Sequence, residues 1–101
     1  MKLLTQEILK KLPKLYAQEK KGDNAIAYVK FFTPDSNWTW YILEYDGNDT
    51  LFCLTDGFEL ELGYVSLAEL QSARGPLGLS IERDKYWTPK TVREIKQEKK
   101  S

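Results

Sequence analysis

The spacing of apolar residues changes along the chain, and each change predicts an element. Ile8, Leu9, Leu12, Leu15 and Tyr16 follow the i, i+1, i+4, i+7, i+8 rhythm of one helical face. Thr5 stands before them as an N-cap. Pro13 lacks an N–H and crowds the Leu9 carbonyl, so the helix ends near Leu12, with one more turn through Leu15 and Tyr16. Residues 18–24 (QEKKGDN) read as a polar loop. The stretch from Ala25 to Thr33 is β-rich, and Pro34-Asp35-Ser36-Asn37 supplies turn chemistry. Trp38 to Tyr45 is the strongest strand; its faces, Trp38/Trp40/Ile42 and Tyr41/Leu43/Tyr45, are both apolar, which predicts a central strand covered on both sides.

After a turn at residues 46–49 the chain returns through Thr50 to Thr55. Asp56-Gly57 then predicts a two-residue type I′ hairpin that pairs Cys53 with Leu60 and Leu51 with Leu62. Phe58, Leu60, Leu62 and Tyr64 alternate with Glu59, Glu61 and Gly63, as in a half-buried strand. Ser66-Leu67-Ala68-Glu69 is a capping box that opens a helix reaching about Ala73, with Leu67 and Leu70 inward. The segment Arg74-Gly75-Pro76-Leu77-Gly78 breaks that helix, and Ser80 to Asp84 forms a short edge strand. Thr88 as N-cap and Pro89 at the first helical position start a last helix to roughly Lys99, anchored by Val92 and Ile95. The expectation is a single α+β domain over residues 1–101. Its core is an antiparallel meander of three to four strands, with N-terminal, middle and C-terminal helices packed on it.

Composition narrows the chemistry. The 101 residues are 42% hydrophobic and 13% aromatic, enough for one core without disulfides or metals. Histidine is absent and Cys53 is the only cysteine, which removes the usual zinc ligand sets and Ser–His or Cys–His nucleophiles. No cofactor or metal is expected. The N-terminus acquires charge too early for a secretory signal, and no apolar run is long enough to span a bilayer, so a cytoplasmic location away from membranes is expected.

Zero net charge hides an uneven distribution. Residues 1–30 carry seven lysines against three acids, residues 31–84 ten acids against Arg74 and Arg83, and residues 85–101 six bases against two acids. Basic ends around an acidic middle offer a nucleic-acid surface if Lys10, Lys11 and Lys14 meet Lys96, Lys99 and Lys100 in space; otherwise the lysines simply solvate helices.

Carboxylates are the remaining acid–base groups. Glu59/Glu61 and Glu82/Asp84 are alternating pairs at a separation that hydrolases use, and a metal-dependent hydrolase would use Glu82 and Asp84. Neither pair brings a cleft with it. Arg74 at a helix end, together with Arg83, suits an anion or carboxylate grip; its structural alternative is pairing with Glu69, Glu82 or Asp84 to pin the glycine–proline loop. Trp38 and Trp40 sit among acids rather than lysines, which favours a core role over base stacking. Cys53 alternates with apolar neighbours and reads as a small buried hydrophobe.

Several segments together resemble a known family. Lys30-Phe31-Phe32-Thr33-Pro34, Ser36-Asn37-Trp38-Thr39-Trp40-Tyr41, Glu61-Leu62-Gly63-Tyr64-Val65-Ser66-Leu67 and Arg74-Gly75-Pro76-Leu77-Gly78-Leu79 with Ile81-Glu82-Arg83-Asp84 are similar to small bacterial proteins catalogued as a domain of unknown function. Met1-Lys2-Leu3-Leu4-Thr5 and Leu12-Pro13 also fit. The resemblance implies a setting on plasmids, integrative elements and phage-related regions, and carries over no catalytic residue. Many members have a proline where this chain has Leu60, which counts against the fourth strand. The function expected is a non-catalytic interaction or accessory module for another protein of the host or element. Its docking surface would draw on Arg74, Glu82, Arg83, Asp84, Asn37 and Glu61. Nucleic-acid binding through the terminal lysines is the alternative.

Overall fold

In the computed structural model, which describes residues 2–100, the aromatic run becomes the middle strand of an antiparallel sheet. In chain order the elements are helix α1 (Gln6–Lys11), a 3-10 segment (Glu19–Asn24), and strands β1 (Ile26–Ala27), β2 (Val29–Phe32), β3 (Thr39–Tyr45), β4 (Thr50–Asp56) and β5 (Leu60–Ser66). Helix α2 (Leu67–Ser72), strands β6 (Glu82–Arg83) and β7 (Lys90–Thr91) and helix α3 (Val92–Lys100) follow. The five-stranded sheet runs β5-β4-β3-β2-β6, and β1 pairs with β7 as a separate ribbon.

The fold is α+β, with more strands than the three or four expected. The β-rich stretch at 25–33 is divided at Tyr28: β1 leaves to pair with β7, while β2 stays beside β3 and accepts β6 on its far edge. Of the two-residue strands, β6 falls within the short edge strand expected over Ser80–Asp84, whereas β1 and β7 carry no periodicity by which the pattern could count them. The fourth strand forms, and a proline at Leu60 would not oppose it, because that residue opens the strand.

Both faces of β3 are covered. One core packs Phe31, Trp40, Ile42, Leu51 and Cys53 against Leu3, Leu4 and Leu70, with Ile8 and Leu12 of the α1 region outside them. The other packs Tyr41, Leu43 and Leu54 against Val92 and Ile95 of α3. The N-terminal and middle helices thus cover one face and the C-terminal helix the other.

Caps fix the helix starts. Thr5 accepts the Ile8 N–H (3.3 Å) and Ser66 accepts the Glu69 N–H (3.2 Å). The last helix starts later than the Thr88-Pro89 signal predicts. Thr91 Oγ1 accepts the Glu94 N–H (3.1 Å) and the Glu94 carboxylate accepts the Thr91 N–H (3.0 Å), a reciprocal cap. The bonds that the carboxylate accepts from the Thr91 N–H and the Thr91 hydroxyl hold the Glu94 carboxyl below its ordinary pKa. The residues before it are drawn into β7, whose exit is tied by the Val92 N–H to the Ala25 carbonyl (2.9 Å).

The hairpin register also differs from expectation. Asp56 pairs with Leu60 and Cys53 with Gly63, so the loop is Gly57-Phe58-Glu59 rather than two residues. Gly57 has no positive φ, as a type I′ turn would require. It is glycine because a Cβ there would overlap the six-membered ring of Trp38. The register moves by an odd number of residues, which exchanges the faces of β5. Leu60 and Leu62 therefore lie with Phe52 and Leu54, and Gly63 lies opposite Cys53.

Candidate functional site

The residues singled out from sequence do not assemble into one site. The Arg74 guanidinium donates to the carbonyls of Ala73 (2.8 Å) and Gln71 (3.4 Å), capping the end of α2. Arg83 donates instead to Lys2 and Leu3 (2.8 and 2.9 Å) and ties down the N-terminal segment. The glycine–proline loop has an occupant within the chain: the Asp35 carboxylate accepts the Leu77 and Leu79 N–H groups (2.8 and 3.3 Å). A Cβ on Gly75 would collide with that carboxylate. Asp84 accepts the Tyr86 N–H (2.9 Å) and lies 3.9 Å from Lys30, while Glu82 pairs with Phe32 in the sheet. Asn37 is exposed on the turn before β3, and Glu61 is exposed on β5. Among the described residues no three histidine, cysteine, aspartate or glutamate side chains gather as a metal site. Burial pushes the Cys53 thiol up to about 11, so it stays protonated at neutral pH.

The terminal lysines are not joined either. Those of the α1 region belong to the face covered by Leu3, Leu4 and Ile8, those of α3 to the opposite face. Lys96 pairs with Asp23 (3.1 Å) and Lys99 with Asp56 (2.8 Å). The Asp56 bond raises the Lys99 pKa.

The open feature of the molecule is β5. It is an edge strand of seven residues, and among the described residues no other strand lies on its outer side. The direction of its free backbone groups follows from the ladder. Leu67 N donates to the Asp49 carbonyl and Gly57 N to the Glu59 carbonyl, so odd-numbered β5 residues exchange bonds with β4. The N–H and C=O groups of Leu62 and Tyr64 then point outward. Both side chains are also exposed, Leu62 at 49% and Tyr64 at 55%.

Each face of this edge has a hollow. On one, Gly63 has nothing within 4 Å of a would-be Cβ, leaving a notch of about 230 Å³ between Trp38, Phe58 and Val65. On the other, Leu62 and Tyr64 border a cleft of about 240 Å³ with Leu43, Phe52 and Val92 as its apolar lining.

A bulge and a strained residue build the cleft. Ile42 pairs with Cys53 but Glu44 with Phe52, so Leu43 is an extra residue in β3. This turns Glu44 toward the cleft face and moves Tyr45 to the other core, away from the Tyr41/Leu43 face expected for it. Glu44 is 3% exposed, and its two oxygens accept the N–H groups of Tyr16 and Gln18 (2.8 and 2.7 Å). Those bonds hold Tyr16 at φ 72°, a left-handed conformation that costs a non-glycine residue about 1–2 kcal/mol. The strain projects an exposed ring over the cleft opposite Tyr64. The Tyr64 phenol is pushed above its ordinary pKa, chiefly by hydrogen bonding with the Tyr16 hydroxyl, then by desolvation and by the negative charges of Glu44 and Glu19.

Gln18 is the other residue that its polar setting concealed. Its amide donates to the carbonyls of Ile26 (3.0 Å) and Leu43 (2.9 Å) and accepts the Ile26 N–H (2.7 Å), joining the loop to β1 and β3.

Residues 3–95 match the family model described as "Protein of unknown function (DUF2958)". No curated protein and no solved structure matches the chain. Among the described residues no helix is long and apolar enough to cross a membrane.

Proposed function

Since the chain belongs to this family of unknown function, we propose from its geometry that it is a non-catalytic protein-interaction module whose docking site is the outer edge of β5. An extended segment of a partner protein adds to that edge as a sixth strand. The observation that carries this reading is the coincidence of outward-facing backbone groups at Leu62 and Tyr64 with a hollow on each face beside them. Strand addition takes its affinity from main-chain bonds and its specificity from pockets for alternate side chains. Long apolar edges are normally blunted by lysine, proline or a covering loop. Here residues 46–73 contain no lysine or arginine at all. An accessory role on a mobile element suits such a capture surface, which replaces the Arg74–Asp84 loop as the docking site because Arg74, Arg83 and Asp84 already bond within the chain.

A displayed library of extended peptides, selected on the native protein, tests the reading. Leu62→Pro removes one outward N–H at an edge position where proline is tolerated, and Leu62→Ala removes only the side chain. Selected peptides are expected to lose at least about tenfold in affinity to the proline variant and much less to the alanine variant. Equal affinity for wild type and Leu62→Pro would contradict edge addition.

A further inference from the structure

We propose that the strand captured at β5 is basic, and that the cleft under Tyr16 and Tyr64 receives one of its lysine or arginine side chains. The inference rests on the edge-addition reading and supplies the chemistry of the partner.

Charge is the first argument. Residues 46–73, which form β4, β5 and α2, hold six acids (Asp46, Asp49, Asp56, Glu59, Glu61 and Glu69) and no base. Glu59 and Glu61 are exposed on or beside the edge strand. At the cleft, the Glu44 carboxylate lies in the wall and Glu19 at the rim, and the negative charge of both reaches the Tyr64 phenol. A cation entering there meets two tyrosine rings and the Glu19 carboxylate, with the buried charge of Glu44 behind them, while an anionic side chain meets repulsion. The same sheet face already seats cations on rings elsewhere: Lys30 lies 5.7 Å from the Trp87 ring centroid and Lys90 lies 5.3 Å from it.

Alternation is the second argument. An added strand places successive side chains on opposite faces. A long side chain beside Leu62 and Tyr64 points toward the cleft, and its neighbours point toward the Gly63 notch and Glu61. The notch takes a medium apolar group; the cleft, lined by Leu43, Phe52 and Val92 below its carboxylates, takes a long aliphatic stem with a charged head.

A second copy of this chain is a poor occupant. The outward groups belong to even-numbered residues, so even pairs with even across an antiparallel self-paired edge. Glu59 and Glu61 of both copies then share one face, and like charges there oppose pairing.

The test uses short end-blocked peptides of alternating threonine and valine with one central lysine, norleucine or glutamate. Titrations monitor the backbone amide signals of wild type, Leu62→Pro, Tyr16→Gly and Glu19→Gln. Glycine adopts the left-handed conformation of residue 16 without strain, so that variant keeps the loop and loses the ring. The lysine peptide is expected to bind wild type at least about tenfold tighter than the norleucine peptide. The glutamate peptide should bind weakest, and the lysine preference should shrink in Tyr16→Gly, in Glu19→Gln and at high salt. Equal binding of lysine and norleucine peptides, both lost in Leu62→Pro, overturns the cation site and leaves edge addition standing. A lysine preference unchanged in Tyr16→Gly overturns the cleft as its location. No binding of any peptide, or a dimer in sedimentation that Leu62→Pro dissolves, overturns the basic partner.

Discussion

Replacing Gln18 with leucine is expected to destabilise the fold by about 3 kcal/mol or more, although the residue lies in a stretch that reads as surface loop. Gln18 is 4% exposed and makes three side-chain bonds to backbone, to the Ile26 carbonyl and N–H and to the Leu43 carbonyl. Leucine fills similar space and satisfies none of them. Each stranded group costs about 1–3 kcal/mol when buried, and those of Ile26 fall at the low end because they are only partly shielded. The effect spreads, because Leu43 is the bulged residue that turns Glu44 toward the Tyr16 loop. Against the roughly 5–15 kcal/mol total of a domain this size, the loss should lower Tm by about 15 °C. Urea denaturation of the two proteins measures it; a difference under about 1 kcal/mol would mean that water replaces the amide at little cost.

Gly57→Ala and Gly63→Ala should have opposite signs, though both are the same change within one hairpin. At position 57 the added methyl overlaps the Trp38 ring. That ring has little room to retreat, being stacked 6.1 Å from Trp40 and edge-on 5.2 Å from Phe58. Overpacking of this kind costs about 1–3 kcal/mol. At position 63 there is open space and no positive φ, so alanine should add about 0.5–1 kcal/mol by restricting the unfolded chain. Denaturation midpoints of the pair decide it. Equal effects would mean that the Trp38 contact does not explain Gly57.

These two cases show where the sequence was legible. The aromatic alternation of residues 38–45, the capping motifs at Thr5 and Ser66 and the apolar anchors Val92 and Ile95 were readable because one local rule governs each. Asp56-Gly57 misled because the glycine answers to a ring nineteen positions back in the chain, and turn chemistry does not encode such an approach. Gln18 was hidden for a related reason, since a glutamine leading into Glu19-Lys20-Lys21 looks solvated until β1 and β3 bring their carbonyls to it. The bulge at Leu43 has no signature in an unbroken β-rich run, yet it decides which face Glu44 takes. Of the residues expected to dock a partner, Glu61 lies on the edge now proposed, whereas Arg74 and Asp84 serve local contacts. The acidic middle of the chain was legible as a charge count; that its base-free part forms one sheet edge became visible only with the strand order.

Amide hydrogen exchange along residues 60–66 addresses the outer edge of the sheet most directly. In the free protein the amides of Leu62 and Tyr64 should exchange rapidly while those of Glu61, Gly63 and Val65 are protected by β4, and an added lysine-bearing peptide should slow the first pair selectively. Uniform protection across the strand before any peptide is added would show that the edge is already covered, and the account of a waiting docking strand would be wrong.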